Sequence, residues 1–162
     1  MDFQFTLALP FRLKLPDAAY AAVLRQDQFV VQTENAESLV RRGELRLAIV
    51  DMNAALDILV ENRGIEILQA DGSTVEAATG MVEALTTHQV MNQILIPNIR
   101  EQNITHDPRW ADWTGIFKLL RNRVVHDGYE PSVGEATASL TAIRALMGFV
   151  RDFTAKKKAS DH

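Results

Sequence analysis

Cysteine is absent from this sequence, and so is any apolar run long enough to cross a bilayer. The lack of cysteine excludes a disulfide framework, a thiolate-ligated zinc site and a cysteine nucleophile. Because no long apolar run is present, we expect no membrane-spanning helix. The opening residues MDFQFTLALP have neither a basic start nor a long apolar core, so we expect no signal peptide and a cytoplasmic location.

Several common catalytic signatures are absent as well. The sequence contains no Gly-rich phosphate loop, no G-x-S-x-G elbow and no H-E-x-x-H pair. The four histidines are scattered, and no two stand at metal-ligand spacing. We therefore expect neither a bound metal nor a cofactor. The net charge of −4 excludes a strongly basic, non-specific nucleic-acid binder, although it leaves room for a local basic patch.

The composition is that of one globular domain. The chain has 162 residues, of which 47% are apolar and 23% charged. A chain of this length buries enough apolar surface to fold without a disulfide or a metal. The patterns described below predict an all-α fold, an antiparallel bundle of about five helices with a short N-terminal β arm. We divide the chain into a β arm and lead-in (1–32), a helical domain (33–155) and a basic, flexible tail (156–162).

The β arm is predicted from an alternating pattern near the N-terminus. Apolar side chains recur at every second position on both sides of Pro10, which is the spacing of one face of a strand. The proline interrupts the pattern and favours an edge strand or a kinked arm. The residues in this pattern are Phe3, Phe5, Leu7, Leu9, Phe11, Leu13 and Leu15.

Helical periodicity begins after the lead-in. Thr33 or Asn35 is expected to cap a first helix, which ends near a joint at Gly43. Apolar residues at three- and four-residue steps predict a long second helix over residues 44–61. We expect that helix to end at Gly64, because glycine is favoured just after a helix.

Two capping-box patterns predict the starts of later helices. Ser73 is followed three residues later by Glu76, and Ser132 is followed three residues later by Glu135. Between them lies a strong helical pattern over residues 110–127, and Gly128 is expected to end that helix. Its apolar stripe consists of Trp113, Ile116, Phe117, Leu120 and Val124.

The helix over residues 110–127 also carries the polar residues that are the best candidates for chemistry. Asn122 and His126 are four residues apart and therefore share a face, which lies nearly opposite the apolar stripe. Arg121 lies on the flank. Leu119 lies beside Asn122 and His126, away from the stripe, so we expect another chain or helix to cover it. A plainer interpretation is that His126 only complements the helix dipole and that the polar face is solvated.

The segment resembles the signature of the HEPN superfamily, an Arg followed after four to six residues by His, often with a polar residue directly after the Arg. It reads Arg121-Asn122-Arg123-Val124-Val125-His126 and fits the four-residue form. The surroundings fit as well, because a glycine turn and a last amphipathic helix follow. Upstream, Asp57 stands after an Ala-Leu pair, where the family often has an acidic residue. The resemblance covers residues 33–155, and the β arm departs from a minimal domain of this type.

The resemblance implies a metal-independent ribonuclease, of the kind found in toxin–antitoxin, antiviral or RNA-processing systems. In such domains two protomers pair so that both Arg/His sets line one cleft. It therefore implies a homodimer that acts on RNA, with a protein partner such as an antitoxin as a further candidate. Arg121, Asn122 and His126 would be the catalytic residues. Other members of the superfamily have lost catalysis and bind nucleotides, RNA or proteins, so a helical interaction module is the alternative.

Four further residues have two interpretations each. Arg123 is a candidate phosphate ligand or a surface charge, and Tyr129 is a candidate for stacking on a base or for packing. We list both as candidate substrate-binding residues. Asp51 and Asp57 are expected to solvate their helix rather than to face a cleft. A third overall interpretation is a plain helical dimer in which Arg121 and His126 are structural.

Overall fold

The computed structural model describes residues 17–100 and 104–153, with side chains from residue 28 onward. These residues form six helices and no strand, so the predicted all-α fold is confirmed for this part of the chain. The predicted β arm and the basic tail lie outside the described residues. The helices are α1 (Asp17–Arg41), α2 (Leu45–Ala70), α3 (Val75–Glu83), α4 (87–98), α5 (108–126) and α6 (Val133–Arg151). Helices α4 and α5 each contain one π-helical turn, at Val90–Leu95 and Trp113–Phe117.

Helices α1 and α2 form a hairpin around Gly43. This glycine has a φ of 76°, a left-handed conformation that other residues adopt only at a cost, and the predicted joint is confirmed. The predicted start at Thr33 or Asn35 is wrong, because α1 already begins at Asp17. Thr33 lies inside the helix, where its hydroxyl donates to the carbonyl oxygen of Phe29 at 2.9 Å. The earlier residues are rich in alanine, which favours a helix without producing an apolar stripe.

Helix α2 continues past Gly64 to Ala70, so the predicted end at Gly64 is wrong. Gly64 is buried, and α3 and α4 pass close to it. A Cβ atom at this position would lie 2.9 Å from a methyl carbon of Val90 and 3.2 Å from a methyl carbon of Val82. The glycine therefore permits close packing of three helices instead of ending one of them.

One of the two predicted helix caps is confirmed, and the other is formed by the next residue in the chain. Ser132 and Glu135 form the predicted capping box at the start of α6. At the start of α3 the cap is Thr74 rather than Ser73, since the Thr74 hydroxyl accepts from the backbone N–H of Ala77 at 3.2 Å. A further capping box at Thr86, which the sequence reading missed, begins α4.

The core forms around α2, against which α1, α3, α4, α5 and α6 pack. Of the predicted stripe on α5, Trp113, Phe117, Leu120 and Val124 are buried, but Ile116 is 41% exposed. The π-helical turn explains the difference, because it inserts extra residues per turn and changes the direction of the side chains within it. In the described ranges, no helix is both long and apolar enough to cross a membrane.

Candidate functional site

The candidate site lies at the C-terminal end of α5. The last nine residues of this helix, Lys118–His126, follow directly on the π-helical turn. Gly128 has a φ of 64°, and the next residue, Tyr129, donates its backbone N–H to the carbonyl oxygen of Arg123 at 3.2 Å. Gly128 therefore ends the helix as predicted, and it leaves His126 in the last turn, exposed to solvent.

An open groove of about 720 Å³ runs between the end of α5 and the start of α6. Its wall is mainly apolar, and its polar residues include Asn122 and His126, which share one face as predicted. Leu119 is 59% exposed here, in agreement with its expected place off the core stripe. The lining residues are Gly115, Ile116, Leu119, Leu120, Asn122, Arg123, His126, Asp127, Glu135 and Ala138.

Arg121 is not among the residues that line this groove. It stands five positions before His126, which separates the two side chains by about 140° around the helix. Arg121 is half-buried, and its guanidinium donates to the Asn122 side-chain oxygen at 3.3 Å. The helix end therefore presents Arg121, Asn122 and His126 in sequence around its surface, with Asn122 between the other two.

Asp57 lies on α2, and two neutral side chains hold its carboxyl group. Its Oδ1 accepts a hydrogen bond from the Thr87 hydroxyl at 2.6 Å, and its Oδ2 accepts one from the Asn53 amide at 2.8 Å. Burial raises the pKa of the Asp57 carboxyl above its ordinary value of 3.8. The Thr87 hydrogen bond and the charge of Arg121 lower this pKa and so oppose the effect of burial.

The expectation that Asp57 only solvates its helix is therefore wrong. The carboxyl group is half-buried and hydrogen-bonded on both oxygens. The sequence held one indication of this, since Asp57 occupies the place where the HEPN superfamily often has an acidic residue. Periodicity alone does not show it, because Thr87 and Arg121 are far from Asp57 in the chain.

Arg123 and Tyr129, the two candidate substrate-binding residues, contact each other. The guanidinium of Arg123 lies over the Tyr129 ring, 3.6 Å from its centre, in cation–π geometry. Arg123 also lies 3.6 Å from Glu135, and the Tyr129 hydroxyl donates to the same carboxylate. Tyr129 is half-buried against the core. The proposed contacts of these two residues with substrate stay predictions.

The described residues offer no evident metal site, because none of their His, Asp and Glu side chains form a group of three able to hold an ion. Arg100 and His106 also match the Arg/His signature, with five residues between them, but they do not share a helix: α4 ends at Asn98, and His106 belongs to a short 3₁₀ turn.

Comparison with protein-family models, with curated proteins and with solved structures found no match to this chain. A function for this chain is therefore inferred from the residues of the site itself and from their resemblance to the HEPN signature.

Proposed function

We propose that this protein is a metal-independent endoribonuclease of the HEPN type that cleaves RNA in the cleft of a homodimer. The observation that carries the proposal is that Asn122 and His126 line an open groove at the end of one helix, while Arg121 on the flank of that helix donates to Asn122. Among the described residues, the His126 ring has no hydrogen-bond partner, so it is accessible to a substrate.

The chemistry of RNA cleavage suits these residue types. The 2′-hydroxyl of RNA attacks the adjacent phosphorus and the 5′-oxygen leaves, so one proton is removed and another is supplied. An imidazole can do either near neutral pH. A guanidinium always carries its charge and can hold two phosphate oxygens as negative charge develops on them. In this proposal His126 transfers protons, Arg121 stabilises the phosphate and Asn122 orients one or the other.

A dimer would complete this chemistry, because one protomer supplies only one histidine at the site. Leu119 and Ile116 support the dimer, since both are exposed on the groove wall beside His126. In an isologous pair, the same surface of each protomer contacts its counterpart. Pairing through this wall would bury both apolar side chains and bring the two His126 residues to one cleft.

The alternative is a non-catalytic helical module that binds a nucleotide, RNA or a protein partner, as a regulatory or toxin–antitoxin component. One observation favours it. The groove wall is mainly apolar, and its one arginine, Arg123, already lies near the Glu135 carboxylate. Such a surface suits the packing of a partner helix better than contact with several phosphates.

An RNA-cleavage assay in the presence of EDTA tests the proposal. Cleavage should proceed in the chelator and leave 2′,3′-cyclic phosphate ends. His126→Ala should lower the rate by roughly 10²–10⁴, the range for an acid–base group. Arg121→Ala should lower it by about 10²–10³, the range for a lost charge-stabilising donor.

Two matched controls change the same residue types away from the site. His106→Ala alters an exposed histidine in the 3₁₀ turn, and Arg144→Ala alters an exposed arginine on α6. Both should leave the rate unchanged. Full activity in both His126→Ala and Arg121→Ala would reject these residues as the catalytic site. No cleavage of any RNA by the wild type would reject the ribonuclease and leave the binding module.

A further inference from the structure

We propose that Arg123 forms the surface of a nucleobase-binding site in the groove, where the flat face of a base stacks on the guanidinium and the Tyr129 ring supports the guanidinium from its other side. The roles that the sequence suggests change accordingly, because the base stacks on Arg123 rather than on Tyr129, and Arg123 does not hold a phosphate. The binding of a base does not depend on the proposed function. Only the step from base binding to RNA cleavage rests on it.

Two contacts hold the guanidinium of Arg123. It lies 3.6 Å from the centre of the Tyr129 ring, which is within the usual contact distance between carbon atoms, about 3.5–4.0 Å. Its Nη1 also lies 3.6 Å from Oε1 of Glu135. Tyr129 is held in turn, since its hydroxyl donates to Glu135 and its backbone N–H donates to the carbonyl oxygen of Arg123. A planar group held in this way loses little further freedom when a ligand binds to it.

The outer layer of this stack is Arg123 and not Tyr129. The Tyr129 ring is half-buried and packs against the core, and the guanidinium covers one of its faces. The Arg123 side chain is 48% exposed and lines the groove. A ligand in the groove therefore meets the guanidinium before the ring. A guanidinium is planar and weakly hydrated, so nucleobases stack on it as they do on aromatic side chains.

The charges around Arg123 favour a base over a phosphate. Hydrogen bonds from Ser132 and Tyr129 lower the pKa of the Glu135 carboxyl, so this group is ionised at neutral pH. Glu135 and Asp127 both line the groove beside Arg123, and their negative charges repel an anion there. A nucleobase carries no net charge. It can stack on the guanidinium while the contact between Arg123 and Glu135 persists.

The groove suits a base in its size and in its apolar wall. Its volume of about 720 Å³ falls within the range of small-molecule sites, roughly 300–1,000 Å³. The exposed side chains of Leu119 and Ile116 suit the flat faces of a base better than a phosphate. His126 follows Arg123 by three residues and lies on the same side of the helix. In the proposed ribonuclease, a base on Arg123 therefore brings its own ribose towards His126.

The binding test uses two ligands that differ only in the base, adenosine 5′-monophosphate (AMP) and ribose 5-phosphate. The readout is the side-chain Nε–H signal of Arg123 in an NMR spectrum, identified by its loss in Arg123→Lys. AMP at millimolar concentration should shift this signal, because the ring current of a stacked base acts on protons above its face. Ribose 5-phosphate should not shift it. Equal shifts with both ligands, or no shift with AMP, would overturn the proposal.

Arg123→Lys tests the stacking surface itself. Lysine keeps the positive charge but has no planar group. The substitution should weaken the binding of AMP by at least about fivefold, the lower end of the cost of losing a stacking partner. The backbone N–H signals of α5 measure the affinity in both proteins. Because Arg123 is exposed, the variant should fold as the wild type does, and an unchanged affinity would count against the base site.

The matched control is Arg109→Lys. Arg109 also lies over an aromatic ring, 3.8 Å from the centre of Phe149, and it pairs with the Asp107 carboxylate at 2.7 Å. It is not one of the residues that line the groove. Arg109→Lys should therefore leave the affinity for AMP unchanged. A loss as large as that in Arg123→Lys would show that AMP does not bind at the groove.

Two substitutions of Tyr129 test the support of the guanidinium. Tyr129→Phe keeps the ring and removes only the hydroxyl that donates to Glu135, so it should bind AMP nearly as the wild type does. Tyr129→Leu removes the ring beneath the guanidinium and should weaken the binding of AMP. Wild-type affinity in a folded Tyr129→Leu protein would overturn the stacked arrangement.

An RNA that lacks one base beside the cleaved bond connects the base site to the proposed function. The wild type should cleave it at least about fivefold more slowly than the complete RNA, because the stacking contact is lost. If AMP binds as described but no RNA is cleaved, the base site stands and the ribonuclease is rejected. If RNA is cleaved but AMP does not shift the Arg123 signal, the ribonuclease stands and the base site is rejected.

Discussion

The hydroxyl of Tyr129 and the carboxylate of Glu135 are joined by a hydrogen bond in which both carboxylate oxygens lie 3.0 Å from the hydroxyl. The same carboxylate accepts from the backbone N–H and the hydroxyl of Ser132. One side chain thus caps α6 and ties it to the loop that follows α5. Asp127 at the start of this loop and Glu135 itself both line the groove, so the shape of the candidate site depends on Glu135.

Stability at acidic pH should reveal this role of Glu135. The hydrogen bonds from Ser132 and Tyr129, together with the charge of Arg123, hold the pKa of the Glu135 carboxyl below its ordinary value of 4.5. A carboxyl whose pKa is lower in the folded state stabilises the fold above its unfolded pKa, and this stability is lost as the pH falls through the folded pKa. Glu135→Gln should therefore be less stable than the wild type above pH 4.5, with a difference that disappears in more acidic solution. Urea unfolding midpoints across this range measure it, and a difference independent of pH would contradict the prediction.

The exposed apolar wall should control the oligomeric state. We expect a homodimer in solution, and Leu119→Ser combined with Ile116→Ser should convert it to a monomer because the pair loses its apolar contact. Met81→Ser is the matched control, since Met81 is 52% exposed on α3, away from the groove. Light scattering at micromolar concentration measures the mass. A monomeric wild type, or a double variant that remains dimeric, would show that this wall is not the interface.

Thr74 caps α3 and its neighbour Ser73 does not, so the two hydroxyl residues should differ in their contribution to stability. Thr74→Ala should lower the free energy of unfolding by about 1 kcal/mol, because the first turn of α3 loses the acceptor for the Ala77 N–H. Ser73→Ala should change it by less than half as much, since Ser73 lies outside the cap. Chemical denaturation of the two variants side by side checks the order, and equal losses would show that the cap has been misassigned.

Two helical glycines should respond to alanine in opposite ways. Gly64→Ala should lower the free energy of unfolding by roughly 1 kcal/mol, because the new methyl group would press on the stiff side chains of Val90 and Val82. Gly148→Ala should raise it by about 0.5–1 kcal/mol, since nothing lies within 4 Å of the new atom and alanine favours the helix. Thermal or urea unfolding gives both values. Stabilisation by Gly64→Ala would contradict the close packing of α2 against α3 and α4.

Local chemistry explains which features could be predicted from the sequence. The helix ends at Gly43 and Gly128 depend on a left-handed conformation that glycine adopts easily, and the start at Ser132 depends on a side chain three residues away. The exposure of Leu119 follows from its angle on the helix. Each of these is decided within a few residues, so a linear pattern contains the necessary information.

The remaining features depend on residues that are distant in the chain. The identity of Gly64 alone predicts that α2 ends there. Gly64 instead lies within α2 and leaves space for Val82 and Val90, which are distant in the chain. The exposure of Ile116 depends on a π-helical turn, which a regular helical period does not represent. The sequence alone thus predicts the helical class, several helix ends and the candidate residues Arg121, Asn122 and His126. The partial burial of Asp57 and its hydrogen bond from Thr87 are not visible in the sequence, because they arise only when the side chains of α2 and α4 pack together.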